Sequence, residues 1–346
     1  MPLTKWSFVA SLLVAMPLAG QVTPLTIGRI TAAPGTRASG FLEVPAGVDE
    51  ATRIPVTIIR GSQPGPALAL VGGTHGSEVA PIVALQRLRS QVNPAELRGT
   101  LIIVHVANVP SFLGRTIYYS PVDRKNLNRM YPGNPNGTVS ERIAHVITSE
   151  IIERADYLID MHSGDGNESL RPYLYWNRLG VDTKVDSLAR ALALAWGATH
   201  VIVDTTRTRD REKSLYTQNT AHLRGKPSLT TETGYLGLPD PLMVQQNVDG
   251  ALRVLRYLRM LPGSVETVQP VWLGRYEVLT SPETGVWHHV VERGHTVAEG
   301  AIIGRLTDFF GDEIAVIRAP FDGEVMYVVG TPAMNKGEPV AMIARK

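Results

Sequence analysis

Residues 72–78 read Gly-Gly-Thr-His-Gly-Ser-Glu, and Asp160-Met161-His162 follows much later in the chain. His75, Glu78 and His162 together make two imidazoles and one carboxylate. A donor set of this type suits a catalytic Zn2+, because three protein ligands leave a fourth position for water. Gly72, Gly73 and Gly76 leave the chain room to bend sharply around His75. A His-x-x-Glu pair alone is a weak signal, since many such pairs are surface ion pairs. Its weight here comes from placement: His75 ends a predicted strand and Glu78 opens a predicted helix, and His162 ends a second predicted strand. Ligands of open parallel sheets bind beyond the carboxyl ends of the strands.

The elements that must carry these side chains alternate in type. A β segment is predicted over 21–66, closing with a turn at 61–66, and it feeds a buried strand at 67–71. A helix over 78–90 and a central strand over 101–107 come next. Thr138 and Glu141 form a capping-box signature for a helix reaching about residue 154. Strands at 157–161, 200–204 and 228–231 are interleaved with helices at 187–196 and 241–260. This pattern predicts the α/β class: a mostly parallel or mixed central sheet flanked by helices, forming a catalytic domain over 67–263. From 268 to 346 helical periodicity disappears and glycine punctuates short Val/Ile-rich runs, which predicts a small all-β half-barrel domain. Its turns resemble those of biotinyl and lipoyl carriers. Residues 309–314, where a carrier lysine would sit, contain none.

Composition removes several alternatives. A formal net charge of +2 with dispersed Lys and Arg gives no footprint for nucleic acid. The absence of cysteine excludes disulfides and thiolate metal sites. Lys5, the apolar stretch 8–18 and Ala19-Gly20 resemble a signal peptide over 1–20, so export, to the periplasm, is expected. That stretch is too short to span a membrane, and no other run reaches about 18 uncharged apolar residues.

Gly73-Thr74-His75-Gly76-Ser77-Glu78, Asn126-Leu127-Asn128-Arg129, Asp160-Met161-His162 and Thr231-Glu232-Thr233-Gly234 stand in this order in the chain. The set resembles the succinylglutamate desuccinylase/aspartoacylase family, zinc-dependent deacylases related to zinc carboxypeptidases, over roughly residues 50–340. In detail it is most similar to the branch containing N-acetyl-diaminobutyrate deacetylases. The resemblance implies one Zn2+ per chain on His75, Glu78 and His162, with Glu232 as general base. A carboxylate at that position can take a proton from water activated by the metal. The resemblance also implies that Asn128 and Arg129 clamp a substrate carboxylate; a planar guanidinium suits that role. The family often places a further arginine upstream of the clamp to polarise the scissile carbonyl. Tyr118 stands there instead, flanked by Arg115 and Arg124, and Arg124 is taken as a third substrate-binding candidate.

Asp160 shares a strand face with His162 and is placed to orient its imidazole. His105, in a very apolar strand, reads as a satisfied core histidine. His145 and His222 show no partner pattern, and His288, His289 and His295 are expected to face solvent. Tyr235 is a transition-state donor by position, with packing as the alternative. The expected activity is zinc-dependent hydrolysis of the amide of a small N-acylated amino acid. A zinc carboxypeptidase or cell-wall peptide amidase shares the same motifs, and a non-catalytic binding protein is the reading from outside the enzymes.

Overall fold

The computed structural model describes residues 22–266 and 268–346, so the leader predicted at 1–20 lies outside the described residues. A short hairpin, β1 (Leu25–Ile27) and β2 (Ile30–Ala32), precedes β3 (Thr36–Val44) and β4 (Thr52–Arg60). β5 (Gln63–Gly72) runs into α1 (Val79–Gln91), followed by β6 (Arg98–Val104) and the short α2 (Val109–Gly114). After a long loop come α3 (Val139–Ile147), continued by a π turn over Thr148–Ile152, and β7 (Tyr157–His162). Next are β8 (Glu168–Leu170), β9 (Tyr173–Asn177), α4 (Thr183–Trp196) and β10 (His200–Asp204). α5 (Thr217–His222), β11 (Ser228–Glu232), α6 (Pro241–Tyr257) and β12 (Val271–Leu273) complete this part of the chain.

Nine of these strands form one mixed sheet in the order β12-β10-β9-β11-β7-β5-β6-β4-β3. At its centre β11, β7, β5 and β6 run parallel, as expected of an α/β sheet covered on both faces. One face packs on α1, α4 and α6 through Leu85, Leu192 and Val248. The other packs on α3, the π turn and the β1–β2 hairpin through Ile143, Ile151 and Ile27. α1 meets the sheet mainly through Ala80, Ile82, Ala84, Leu85 and Leu88, while Val79 and Val83, which the periodicity assigns to its apolar side, are only half-buried.

Local chemistry sets most boundaries. The carboxylate of Glu141 accepts from both Thr138 N–H and Thr138 Oγ1–H at 2.9 Å, starting α3 where the capping signature places it. α4 begins four residues before its apolar periodicity, because Asp182 accepts from the N–H groups of Lys184 and Val185. It stops at Gly197, in the left-handed region at φ +89°. β5 begins inside the predicted 61–66 turn: Gln63 already pairs with Arg98, with an irregularity before Ala67 that accommodates the Pro-Gly-Pro run.

The all-β unit has two antiparallel sheets around Trp287, Ile303, Leu306, Phe321 and Val340. Two ladders tie it to the α/β part. β12, within the segment assigned to the half-barrel, instead extends the nine-stranded sheet beside β10. β8 pairs with the strand Gly323–Val329. No helix among the described residues is long and apolar enough to cross a membrane.

Gly250 marks the closest approach of α6 to α4: a Cβ there would lie 2.4 Å from the Trp196 ring. Gly250→Ala would gain about 1 kcal/mol of helix propensity. Overpacking against a buried indole costs about 1–3 kcal/mol. The expected net effect is a lower Tm, by about 2–4 °C per kcal/mol; a rise in Tm on thermal unfolding would show that Trp196 gives way freely.

Candidate active site

Three neighbouring parallel strands end at one level. Gly72 of β5 stands opposite Met161 of β7, and His162 of β7 stands opposite Glu232 of β11. Beyond β5 the chain turns at Gly73, at φ +68°, which an L side chain rarely adopts. Gly76 is pressed against α2, where a Cβ would lie 2.2 Å from the backbone nitrogen of Phe112. This turn delivers His75 and Glu78 to the ends of β7 and β11.

The donor atoms of His75, Glu78 and His162 lie within 4.8 Å of one another, and all three residues are buried. Nδ1 of His75 is 2.7 Å from Glu78 Oε1, and Nδ1 of His162 is 2.8 Å from Glu78 Oε2. Nε2 of His75 donates to Asn126 Oδ1 at 3.1 Å, an oxygen fixed in place by also accepting from Asn128 N–H. A neutral imidazole carries one N–H. With that proton on Nε2, Nδ1 of His75 can face the carboxylate oxygen only with a second proton or a metal cation between them. Glu78 Oε2 is itself a buried acceptor without an aligned donor. The donor set therefore fits a divalent metal ion.

Asp160, fully buried, brings Oδ2 to 3.0 Å from Nε2 of His162, on the side away from Glu78. This is the orienting position expected of a carboxylate behind a metal-binding imidazole. Burial works to raise the Glu78 carboxyl, but the His162 and His75 imidazoles outweigh it and hold it at about 2. Burial likewise opposes charge on both imidazoles; Asp160 and Glu78 drive His162 well above its ordinary value, and Glu78 raises His75. Glu232 behaves in the opposite way. Burial, reinforced by the charges of Glu78, Glu168 and Asp160 and opposed by His162, drives its carboxyl well above the ordinary range. No hydrogen bond from the described residues holds that carboxylate.

A cavity of about 470 Å³ opens onto the centre. His75, Glu78 and Glu232 form its floor, Arg129 and Arg207 contribute positive charge, and Tyr118, Glu168, Tyr173 and Tyr175 line it further. The all-β unit adds Tyr276, Val278, Tyr327 and Pro339. Arg129 and Arg207 lie over the Tyr216 ring at 4.4 and 3.8 Å, and Arg207 is steadied by Asp204, 2.7 Å from its Nε.

The other sequence candidates divide. Asn128 is buried beside the centre: its Oδ1 accepts from Thr217 N–H at 3.0 Å, and its Nδ2 lies 3.3 Å from His162 Nε2. Its amide thus braces the imidazole and α5. Arg124 is exposed and does not line the cavity; its backbone lies in the left-handed region at φ +56°. Arg115 is exposed as well. Tyr235 caps α6 through Asp240 at 2.9 Å and packs under Arg293, away from the cavity. His105 donates to or accepts from Thr57 Oγ1 at 2.8 Å, and burial depresses it to about 4. His222, which has no partner in the sequence pattern, is buried 2.8 Å from Asp186. Arg207, Glu168 and Asn126 were not singled out as site residues. Asn126 lies inside a recognised motif, whereas Arg207 and Glu168 sit in irregular stretches with no periodic or motif signal.

Metal binding must displace the protons that Glu78 holds on the two imidazoles. Zn2+ titrated into metal-free protein near about pH 7 is expected to release more than ~1 proton per ion, read from the dependence of calorimetric heat on buffer ionisation enthalpy. His162→Ala should abolish binding and release together. Tight binding without proton release would mean that the ion sits elsewhere.

Comparison with known proteins agrees with this geometry. The family model described as the succinylglutamate desuccinylase/aspartoacylase catalytic domain matches residues 64–258. The chain is 30% identical over 317 residues to the N-alpha-acetyl-L-2,4-diaminobutyric acid deacetylase of Halomonas elongata, covering 88% of this chain and 90% of that protein. Its structure is similar to that of product-bound ectoine utilization protein EutE (DoeB) of Ruegeria pomeroyi: TM-score 0.81, 27% identity, 94% of this chain and 98% of the other. A succinylglutamate desuccinylase/aspartoacylase from Rhodobacter sphaeroides gives a TM-score of 0.78 at 27% identity, over 90% and 95% of the two chains. With its catalytic-domain match extending over more than half its length, the chain belongs to the succinylglutamate desuccinylase/aspartoacylase family of deacylases.

Proposed function

We propose that this protein is a Zn2+-dependent deacylase that hydrolyses the amide bond of a small N-acylated amino acid. The observation that carries the reading is the convergence of His75, Glu78 and His162 on one point beside the carboxylate of Glu232, which has no hydrogen-bond donor among the described residues. The deacetylase of Halomonas elongata, which acts on an N-acetylated amino acid, supports the substrate class.

When bound, Zn2+ would supply Lewis-acid activation of water and charge stabilisation at the scissile carbonyl. The chain's own groups do the rest. His75, Glu78 and His162 hold the ion, and Asp160 and Asn126 fix the two rings. Glu232 stands at the end of β11 beside His162, where it takes a proton from the attacking water and passes it to the leaving amine. Its burial, which raises its proton affinity, makes it a stronger base than an exposed carboxylate. Arg129 and Arg207 grip the substrate carboxylate. The cavity, bordered on one side by Tyr276, Tyr327 and Pro339, has room for a ligand the size of an amino acid rather than a folded chain.

Glu232→Gln should keep its metal and lose about 10²–10⁴-fold in kcat, the usual size of a general acid–base contribution. Retention of full activity by a zinc-loaded Glu232→Gln protein would remove Glu232 from this role. Zinc-loaded wild type should hydrolyse members of a panel of acetyl-, succinyl- and formyl-amino acids in preference to short peptides. Preferential release of C-terminal residues from peptides would favour a carboxypeptidase or cell-wall peptide amidase instead.

A further inference from the structure

A second cavity, of about 640 Å³, lies where the α/β part meets the all-β unit. Three guanidinium groups border it. Arg171 follows β8, Arg253 belongs to α6, and Arg293 comes from the all-β unit. Trp196 and Tyr173 add aromatic wall. Among the described residues Tyr173 alone borders both this cavity and the catalytic one, so His75, Glu78 and Glu232 face a different hollow.

The positive charge here is only partly matched. Arg171 is paired through Nη1 with Glu324, while its buried Nε has no acceptor among the described residues. Arg253 donates from Nε to the Ala195 carbonyl at 3.0 Å and from Nη2 to the Glu266 carbonyl. The first bond satisfies a carbonyl in the last turn of α4, but neither acceptor carries a full negative charge. Arg293 lies 3.7 Å over the Tyr235 ring and makes no ion pair among the described residues. The acids nearby in sequence are engaged elsewhere. Asp249, which borders the cavity, accepts from Gln245 Nε2 at 2.9 Å. Asp240 accepts from Leu242 N–H, Met243 N–H and the Tyr235 hydroxyl. Two guanidinium groups without a carboxylate partner thus share one hollow with the end of a third. Guanidinium forks match the oxygens of phosphate-like and carboxylate groups, and two unmatched charges favour a dianion over a monoanion.

We propose that this cavity is a binding site for a small dianionic oxyanion, held by Arg253 and Arg293, with Arg171 completing its positive lining. Because Arg253 and Arg293 belong to different parts of the fold, the bound anion fastens the all-β unit to α6. The site is independent of the deacylase reading and takes a ligand that the reacting groups do not touch.

The test titrates sulfate into the full-length protein at constant ionic strength and follows binding by calorimetry and by thermal unfolding. Wild type should bind sulfate saturably, with a matching rise in Tm, as expected of a ligand that favours the folded state. Arg293→Gln should weaken that binding by at least ~10-fold, the size of a lost charge-assisted hydrogen bond, and lose the saturable rise. Arg207→Gln, which alters only the catalytic cavity, should keep both. Equal sulfate affinity in Arg293→Gln and wild type overturns the proposal, as does loss of binding in Arg207→Gln alone, which would put the anion in the catalytic cavity. A rise in Tm that is linear in sulfate and shared by all three proteins is general salting-out and also overturns it. Acetate and succinate separate the possible sources. Acetate should bind at least ~10-fold more weakly than sulfate or succinate, and the tighter of those two names the oxyanion class. Acetate binding as tightly as both overturns the dianion assignment. Should Arg293→Gln fail to fold, wild type decides the matter: sulfate should protect Arg293 from phenylglyoxal, read by peptide mass spectrometry, and unchanged labelling overturns the proposal.

Discussion

The site depends on one alignment: β5, β7 and β11 are parallel neighbours that end level with each other. Parallel pairing in a fixed register places His162 and Glu232 side by side, with no local sequence relationship needed between them. The Gly73–Gly76 turn then adds His75 and Glu78 from the next strand. A slip of one residue in the β7–β11 register would turn Glu232 to the opposite face of the sheet. The apolar contacts of Ile159, Met161 and Leu229 with the helices behind them hold that register. Apolar packing on alternate positions of the same strands therefore fixes the geometry of the chemistry.

That alignment gathers negative charge. Glu78, Asp160, Asp165, Glu168 and Glu232 surround two imidazoles in a largely buried volume. The consequences are visible in the carboxyl groups farther from the rings: burial and neighbouring charge raise Asp165 to about 6 and Glu168 to about 7. An assembly of this kind is costly unless a cation or protons compensate it. A divalent ion bound at the centre would supply the compensation and would lower the neighbouring carboxyl groups together. Metal affinity and the protonation of the whole cluster are one coupled property.

Much of this was legible in the sequence, and the reasons are local. The His75–Glu78 turn, the strand ending at His162 and the Glu232 position are written as short motifs beside strongly apolar runs, so their elements follow from periodicity. The α4 start was missed because Asp182 caps a first turn that has little apolar pattern. β12 was assigned to the half-barrel because three residues carry too little pattern to show which sheet they join. Arg207 and Glu168 escaped notice because their roles come from where the chain passes in space. Arg124 was favoured because it flanks Tyr118 in sequence, where an arginine was expected, but it is exposed and does not line the cavity. Nearness along the chain is a poor guide inside an irregular loop, where direction changes at every residue.

The ladder between β8 and the strand Gly323–Val329 has an implication for how this protein can change. It makes the small unit a part of the wall rather than an appendage, since Tyr276, Val278, Tyr327 and Pro339 border the same hollow as the reacting groups. Substitutions in that unit can reshape what enters while His75, Glu78, His162 and Glu232 stay untouched. Part of the cavity wall is thereby encoded in a stretch of the gene separate from the reacting groups, free to diverge at its own rate. Shortening the chain before Val271 would cost it an edge strand of the main sheet and leave β8 with a bare flank, so the two parts must be inherited together.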